Sequence, residues 1–129
     1  QHLHFELGRS VVAQCGTLIA QVLYVKQTPT EQFVILDAGM TELIRPALYQ
    51  AKHKITNTTS SSPIIERYDV VGPICESSDV FAQDILLPTT KRGDIIAIHS
   101  AGAYGESMAS TYNCRPLPPA YTKEEITEN

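Results

Sequence analysis

The sequence predicts a mostly β domain with one short helix, on three observations. Short runs rich in Val, Ile and Thr recur between turn residues, a single stretch carries helical spacing, and 129 residues suit one domain, not two. A chain of this size buries roughly two thirds of the surface its unfolded form exposes, enough for one core.

The elements follow in chain order. Leu3, Phe5 and Leu7 alternate with His2, His4 and Glu6, the period of a strand with one apolar and one polar face, so Glu6 shares a face with the histidines. Residues 11–25 are too evenly apolar for an amphipathic helix and read as one long strand, with Gly16 marking a bulge or bend. Residues 33–37, 64–71 and 94–99 are further β-branched runs bounded by Gly, Pro, Asn or Ser. The helix is expected over 41–52, with Thr41 as its cap, Ile44, Leu48 and Ala51 near one face, and Pro46 tolerable only near the first turn. Residues 57–62 form a polar Thr/Ser tract expected as an exposed loop between strands. Residues 123–129 are a charged tail, which leaves 1–122 as the domain.

Charge and cysteine content exclude several classes. Ten Lys and Arg against fourteen Asp and Glu give a net charge of −4, so no basic field exists to hold nucleic acid or an anionic membrane. Cys15, Cys75 and Cys114 are too scattered for a disulfide scaffold and form no CxxC pair, which fits a reducing cytoplasm. The apolar stretch 17–25 is interrupted by Gln21 and falls short of the roughly 20 residues a membrane span needs. The opening Gln1-His2-Leu3-His4 lacks an initiator Met and a signal-peptide pattern, and reads as a position inside a longer protein. There is no internal repeat, no GxxxxGK loop and no GxGxxG.

Taken singly, the polar candidates have structural explanations. Free cysteines are among the most buried residues, so Cys15 and Cys114 are read as packing. Glu76 alone reads as solvated surface, Tyr104 as a partly buried aromatic with a satisfied hydroxyl, and Arg45 with Tyr49 as an i, i+4 packing pair. His2 and His4 without a third ligand are expected to hold no metal. Neither His53 nor His99 carries a local signature that would pair it with a cysteine for proteolysis.

Taken together, ordered segments carry more. Glu6-Leu7-Gly8-Arg9, Asp37-Ala38-Gly39-Met40, Ile44-Arg45-Pro46-Ala47-Leu48-Tyr49 with His53, the run from Gly72 through Cys75-Glu76 to Asp79, Gly102-Ala103-Tyr104, Tyr112-Asn113 and Arg115-Pro116 appear in that order. This set resembles the diaminopimelate decarboxylase family of fold-type III pyridoxal-phosphate enzymes, and the resemblance runs from Phe5 to Pro119. Members pair an N-terminal (β/α)8 barrel with a C-terminal β domain, and this chain resembles the latter alone. The resemblance implies a Greek-key β-barrel or sandwich, pyridoxal 5'-phosphate in the full-length enzyme, and a homodimer with shared active sites.

It also implies roles. Glu6 resembles the acid that pairs with the cofactor's pyridine nitrogen. Gly8 and Arg9 resemble the phosphate-side elements, Arg9 also serving substrate, and Tyr104 resembles the hydroxyl that reaches the cofactor phosphate and borders the substrate. Leu7 stands where the family usually has Pro. Arg45 and Tyr49 resemble the pair that recognises the substrate's distal carboxylate, a task suited to a guanidinium fork. Cys75 resembles the catalytic proton donor to the α-carbon after carbon dioxide leaves, and an ordinary thiol, titrating at about 8.5, still carries its proton near neutrality. Glu76 resembles the contact to the distal ammonium; ornithine-type relatives typically have Asp there, so Glu76 points to diaminopimelate.

None of Lys26, Lys52, Lys54, Lys91 and Lys123 matches the family's cofactor lysine, which belongs to the barrel. The resemblance therefore implies that this segment alone is inactive. Two other readings stay open: a related decarboxylase of ornithine, arginine or carboxynorspermidine, and a non-catalytic β dimerisation module.

Overall fold

In the computed structural model, which describes residues 1–127, the chain forms six strands, three short α-helices and three single 3-10 turns. The elements are α1 (Arg9–Val12), β1 (Thr17–Gln27), β2 (Gln32–Leu36), α2 (Arg45–Tyr49), β3 (Ile55–Asn57), β4 (Ile65–Val71), β5 (Val80–Pro88), β6 (Ile95–His99) and α3 (Lys123–Thr127). The strands lie in the order β3-β6-β1-β2-β4-β5, antiparallel except for β2 with β4. The outer strands β3 and β5 approach each other, so the sheet curls into a nearly closed barrel; the domain is mostly β, as its composition predicts.

Alternation fills the barrel. Ala20 and Val22 of β1, Val34 and Leu36 of β2, Tyr68 and Val70 of β4, Phe81 and Leu87 of β5, and Ile96 and Ile98 of β6 all point into one core. Burying each large aliphatic side chain of this set is worth about 1.5–3 kcal/mol. Two polar seams join the barrel's ends. The buried Tyr68 hydroxyl donates to Glu66 Oε2 at 2.8 Å and accepts from the Thr90 N–H at 3.1 Å, and burial pushes its phenol up. Across the gap between β3 and the β5–β6 turn, Asn57 Nδ2 donates to Thr90 Oγ1 at 3.1 Å and to the buried Asp94 Oδ2 at 2.9 Å.

β1 is the long bent strand that its β-branched composition predicts, but it is shorter and bends elsewhere. Its first half, from Thr17 to Gln21, pairs with β6, and its second half, from Val22 to Gln27, pairs with β2. The register slips between Val22 and Tyr24, so the bend lies there and not at Gly16. Residues 11–15, expected as strand, are helical instead. Gly16 O accepts from the Ala101 N–H at 2.9 Å, and Ala13 O accepts from the Gly102 N–H at 3.0 Å. These tertiary bonds override the β propensity of Val11 and Val12.

Other expectations are corrected as well. Residues 3–7 form no strand, because no neighbouring strand pairs with them, and Leu3, Phe5 and Leu7 are exposed along with the histidines. The helix expected over 41–52 is limited to α2, where Thr41 does not cap and Leu48 is exposed; Pro46 does sit in the first turn. Gln50, at φ 53°, ends α2 in the left-handed region. Asn57 belongs to β3, and only the residues after it form the expected polar loop. α3 occupies part of the charged tail, and residues 128 and 129 of that tail lie outside the described residues. All three cysteines are exposed, contrary to the packing read for Cys15 and Cys114.

The crossing of Gly16 and Gly102 sets the approach of α1 to the loop after β6. A Cβ on Gly102 would stand 2.2 Å from Val12 O and 2.7 Å from Gly16 N, distances only glycine allows. Gly102→Ala is expected to destabilise the fold by about 2 kcal/mol or more. A urea titration showing an unchanged midpoint would contradict this account of the crossing.

Candidate active site

The Gly16–Gly102 crossing brings Arg9, the first residue of α1, close to Tyr104, which follows β6. Tyr104 takes φ 63°, a left-handed conformation that costs a non-glycine residue roughly 1–2 kcal/mol. α2 completes the cluster by presenting Arg45 and Tyr49 at i and i+4, one above the other. Arg9, Arg45, Tyr49 and Tyr104, with Ala51 and Met108, line an open cleft of about 530 Å³.

Arg45 is the electrostatic centre of this cleft. Its residue is buried, and its guanidinium carbon lies 5.3 Å from the Tyr49 ring centroid and 5.7 Å from that of Tyr104. Among the described residues the ion pairs are Arg67–Asp84 and Arg115–Glu42, so no described carboxylate forms an ion pair with Arg45. A planar cation near two aromatic rings, with no ion pair among the described residues, suits a carboxylate or phosphate ligand.

Cys75 and Glu76 lie elsewhere, on the exposed loop between β4 and β5, and do not line the cleft. Their backbone is fixed from below by Asp79, which is buried. Asp79 Oδ1 accepts from the Met40 N–H at 2.6 Å and Oδ2 from the Ile74 N–H at 2.7 Å. A Cβ on Gly39 or Gly72 would strike these carboxylate oxygens at 2.8 and 2.3 Å, so both glycines make room for the clasp. Burial pushes the Asp79 carboxyl up, against the two N–H donors that pull it down. Glu76 Oε1 accepts from the Tyr112 hydroxyl at 2.7 Å, and that contact raises the Tyr112 phenol above its ordinary range.

Glu6 and Gly8 complete the sequence-derived set. Glu6 is exposed in a segment without secondary structure, outside the cleft. Gly8 stands at the N-cap of α1, where a Cβ would meet no protein atom within 4 Å, so space for a ligand exists against its backbone. Among the described residues no group of three or more His, Cys, Asp or Glu side chains is arranged to hold a metal.

Residues 10–102 match the family described as pyridoxal-dependent decarboxylase, C-terminal sheet domain. The chain belongs to this family. It is 68% identical over 126 residues to the diaminopimelate decarboxylase of Bacteroides thetaiotaomicron, spanning 98% of this chain and 32% of that protein. With the Helicobacter pylori diaminopimelate decarboxylase it shares 56% identity over 112 residues, 86% of this chain and 28% of that one. The H. pylori crystal structure complexed with L-lysine superposes with a TM-score of 0.81 over 87% of this chain and 27% of that chain. A Vibrio vulnificus lysine/ornithine decarboxylase complexed with cadaverine, 26% identical, gives 0.76 over 85% of this chain and 30% of that one. The chain thus spans about a third of the length of the curated relatives it matches.

For a member of the pyridoxal-dependent decarboxylase family, the cleft chemistry fits the cofactor: two arginines and two phenols in one concave surface suit an anionic phosphate. Sequence reasoning quoted Asp79, Tyr112 and Arg115 within its segments but gave them no role. Gly39 and Gly72 were the available signal for Asp79, since each makes room for its carboxylate, but their proximity emerges only on folding. Met108 and Ala51 of the cleft carried no signal.

Proposed function

We propose that this chain is the C-terminal β domain of a cytoplasmic, homodimeric carboxy-lyase that converts meso-2,6-diaminopimelate to L-lysine and carbon dioxide. Residues 1–122 are the domain in this reading, and 123–129 a polar tail. Support comes from the 68% identity to a diaminopimelate decarboxylase and, above all, from the buried Arg45, which lies beside the Tyr49 and Tyr104 rings with no ion pair among the described residues. No helix among the described residues is long and apolar enough to cross a membrane.

Pyridoxal phosphate, when bound, supplies the electron sink for the charge left as carbon dioxide departs. This chain's residues bind, orient and protonate. Arg45 forks onto the distal carboxylate of the substrate, and the Tyr49 hydroxyl donates beside it. Arg9, the Gly8 backbone and the Tyr104 hydroxyl hold the phosphate end, with Arg9 and Tyr104 also bordering the substrate. Glu6, exposed on a segment without secondary structure, would pair with the pyridine nitrogen. Cys75 donates the proton that replaces carbon dioxide at the α-carbon, and Glu76 accepts the distal ammonium. Because Cys75 and Glu76 stand outside their own cleft, they serve the cleft of a second subunit in this reading.

The test is turnover by the full-length protein with meso-diaminopimelate and ornithine side by side, read as released carbon dioxide. Turnover of the first and not the second is expected. Glu76→Ala should lower kcat/KM for diaminopimelate about 10- to 100-fold, the cost of one charge-assisted contact. Unchanged diaminopimelate turnover in that variant would remove Glu76 from the distal site.

A further inference from the structure

The segment after Tyr104 does something the cleft does not explain. Ser110 N–H donates to Thr41 O at 2.9 Å, and Arg115 Nε donates to the buried Glu42 Oε1 at 3.2 Å, while Arg115 Nη2 also donates to Asp37 O. Glu42 is itself fixed, its Oε2 accepting from Gly39 N–H at 2.6 Å and Thr41 Oγ1 at 2.8 Å. Residues 110–115 are therefore pinned at both ends to the turn that also receives Asp79 through Met40. Between the pins, Asn113 and Cys114 both take left-handed conformations, φ 58° and 59°. Two consecutive non-glycine residues in that region persist only where their surroundings over-determine them. What the pinned strap carries is Tyr112, whose hydroxyl meets Glu76 Oε1 at 2.7 Å. The second oxygen of Glu76 has no hydrogen bond among the described residues, so the carboxylate is oriented with one face spare.

We infer that Tyr112 is a specificity-determining positioning residue, which holds one oxygen of Glu76 so that the other is presented to the distal ammonium of the substrate. The inference rests on the diaminopimelate reading above. Tyr112 touches neither substrate nor cofactor in this arrangement and acts through Glu76. Its loss frees the exposed carboxylate to sample other rotamers and weakens ground-state recognition, leaving proton donation by Cys75 in place.

Tyr112→Phe in the full-length holoenzyme separates this from a structural role. It is expected to raise KM for meso-diaminopimelate and the inhibition constant of L-lysine about tenfold, with kcat within about twofold and the thermal midpoint unchanged. In a Glu76→Ala background the same substitution should have no further effect, because the group it positions is gone. Additive losses in the double variant, an equal fall in kcat, or a Tyr112→Phe enzyme with wild-type KM would each overturn the inference. A wild-type enzyme inert toward diaminopimelate would instead defeat the functional reading. An active wild type impaired by Glu76→Ala but not by Tyr112→Phe defeats this inference alone.

Discussion

Cys75→Ala in the full-length protein is expected to lower kcat for meso-diaminopimelate about 10²- to 10⁴-fold, the contribution of a positioned proton donor. Cofactor content, read from the holoenzyme absorbance, should stay at the wild-type level. The separation follows from the geometry. Cys75 is exposed on a loop whose backbone is gripped by Asp79 through Ile74 and Met40, and nothing in that grip involves the thiol. Removing the sulfur therefore leaves the loop in place and deletes only the chemistry. Loss of less than about threefold would mean that water or another residue returns the proton.

Arg45→Lys is the second large effect, and it is expected to cut kcat/KM about a hundredfold. Charge is retained, but the planar fork is not. A lysine ammonium lacks the planar fork that could offer two parallel donors to one carboxylate while keeping the ring contacts the guanidinium makes at 5.3 and 5.7 Å from the Tyr49 and Tyr104 centroids. Most of the loss should appear in KM for substrates with a distal carboxylate. A variant within threefold of wild type would show that point charge suffices and that the stacked geometry is incidental.

The fold class was legible in the sequence because β2, β4 and β6 are short β-branched runs closed by turn residues. β5 was not, for a local reason. Gln83 and Asp84 interrupt its apolar pattern, and Asp84 sits at φ 53°, so the strand is kinked where a sequence reader finds an end. β3 is three residues long and gains its place only by pairing with β6. α1 was hidden by its valines, which prefer strand until the glycine crossing with residue 102 sets their backbone. At the site, spacing alone suggested Arg45 and Tyr49 as neighbours, and the fold places them so. Roles for Cys75, Glu76 and Glu6 came from resemblance, since each is exposed and chemically ordinary in isolation. Asp79 was quoted in the motif without a role because its meaning lies in contacts with Met40, some 39 positions earlier in the chain.

The kinked first strand has a consequence beyond its shape. Because β1 is shared by the ladder it forms with β6 and the ladder it forms with β2, neither side of the barrel can loosen without straining the other. Arg9 and Tyr104 hang from the β6 side, while the Asp79 clasp and the Tyr112 strap hang from the β2 side. One ribbon of backbone thus ties the cleft residues Arg9 and Tyr104 and the loop that carries Cys75 to a common frame.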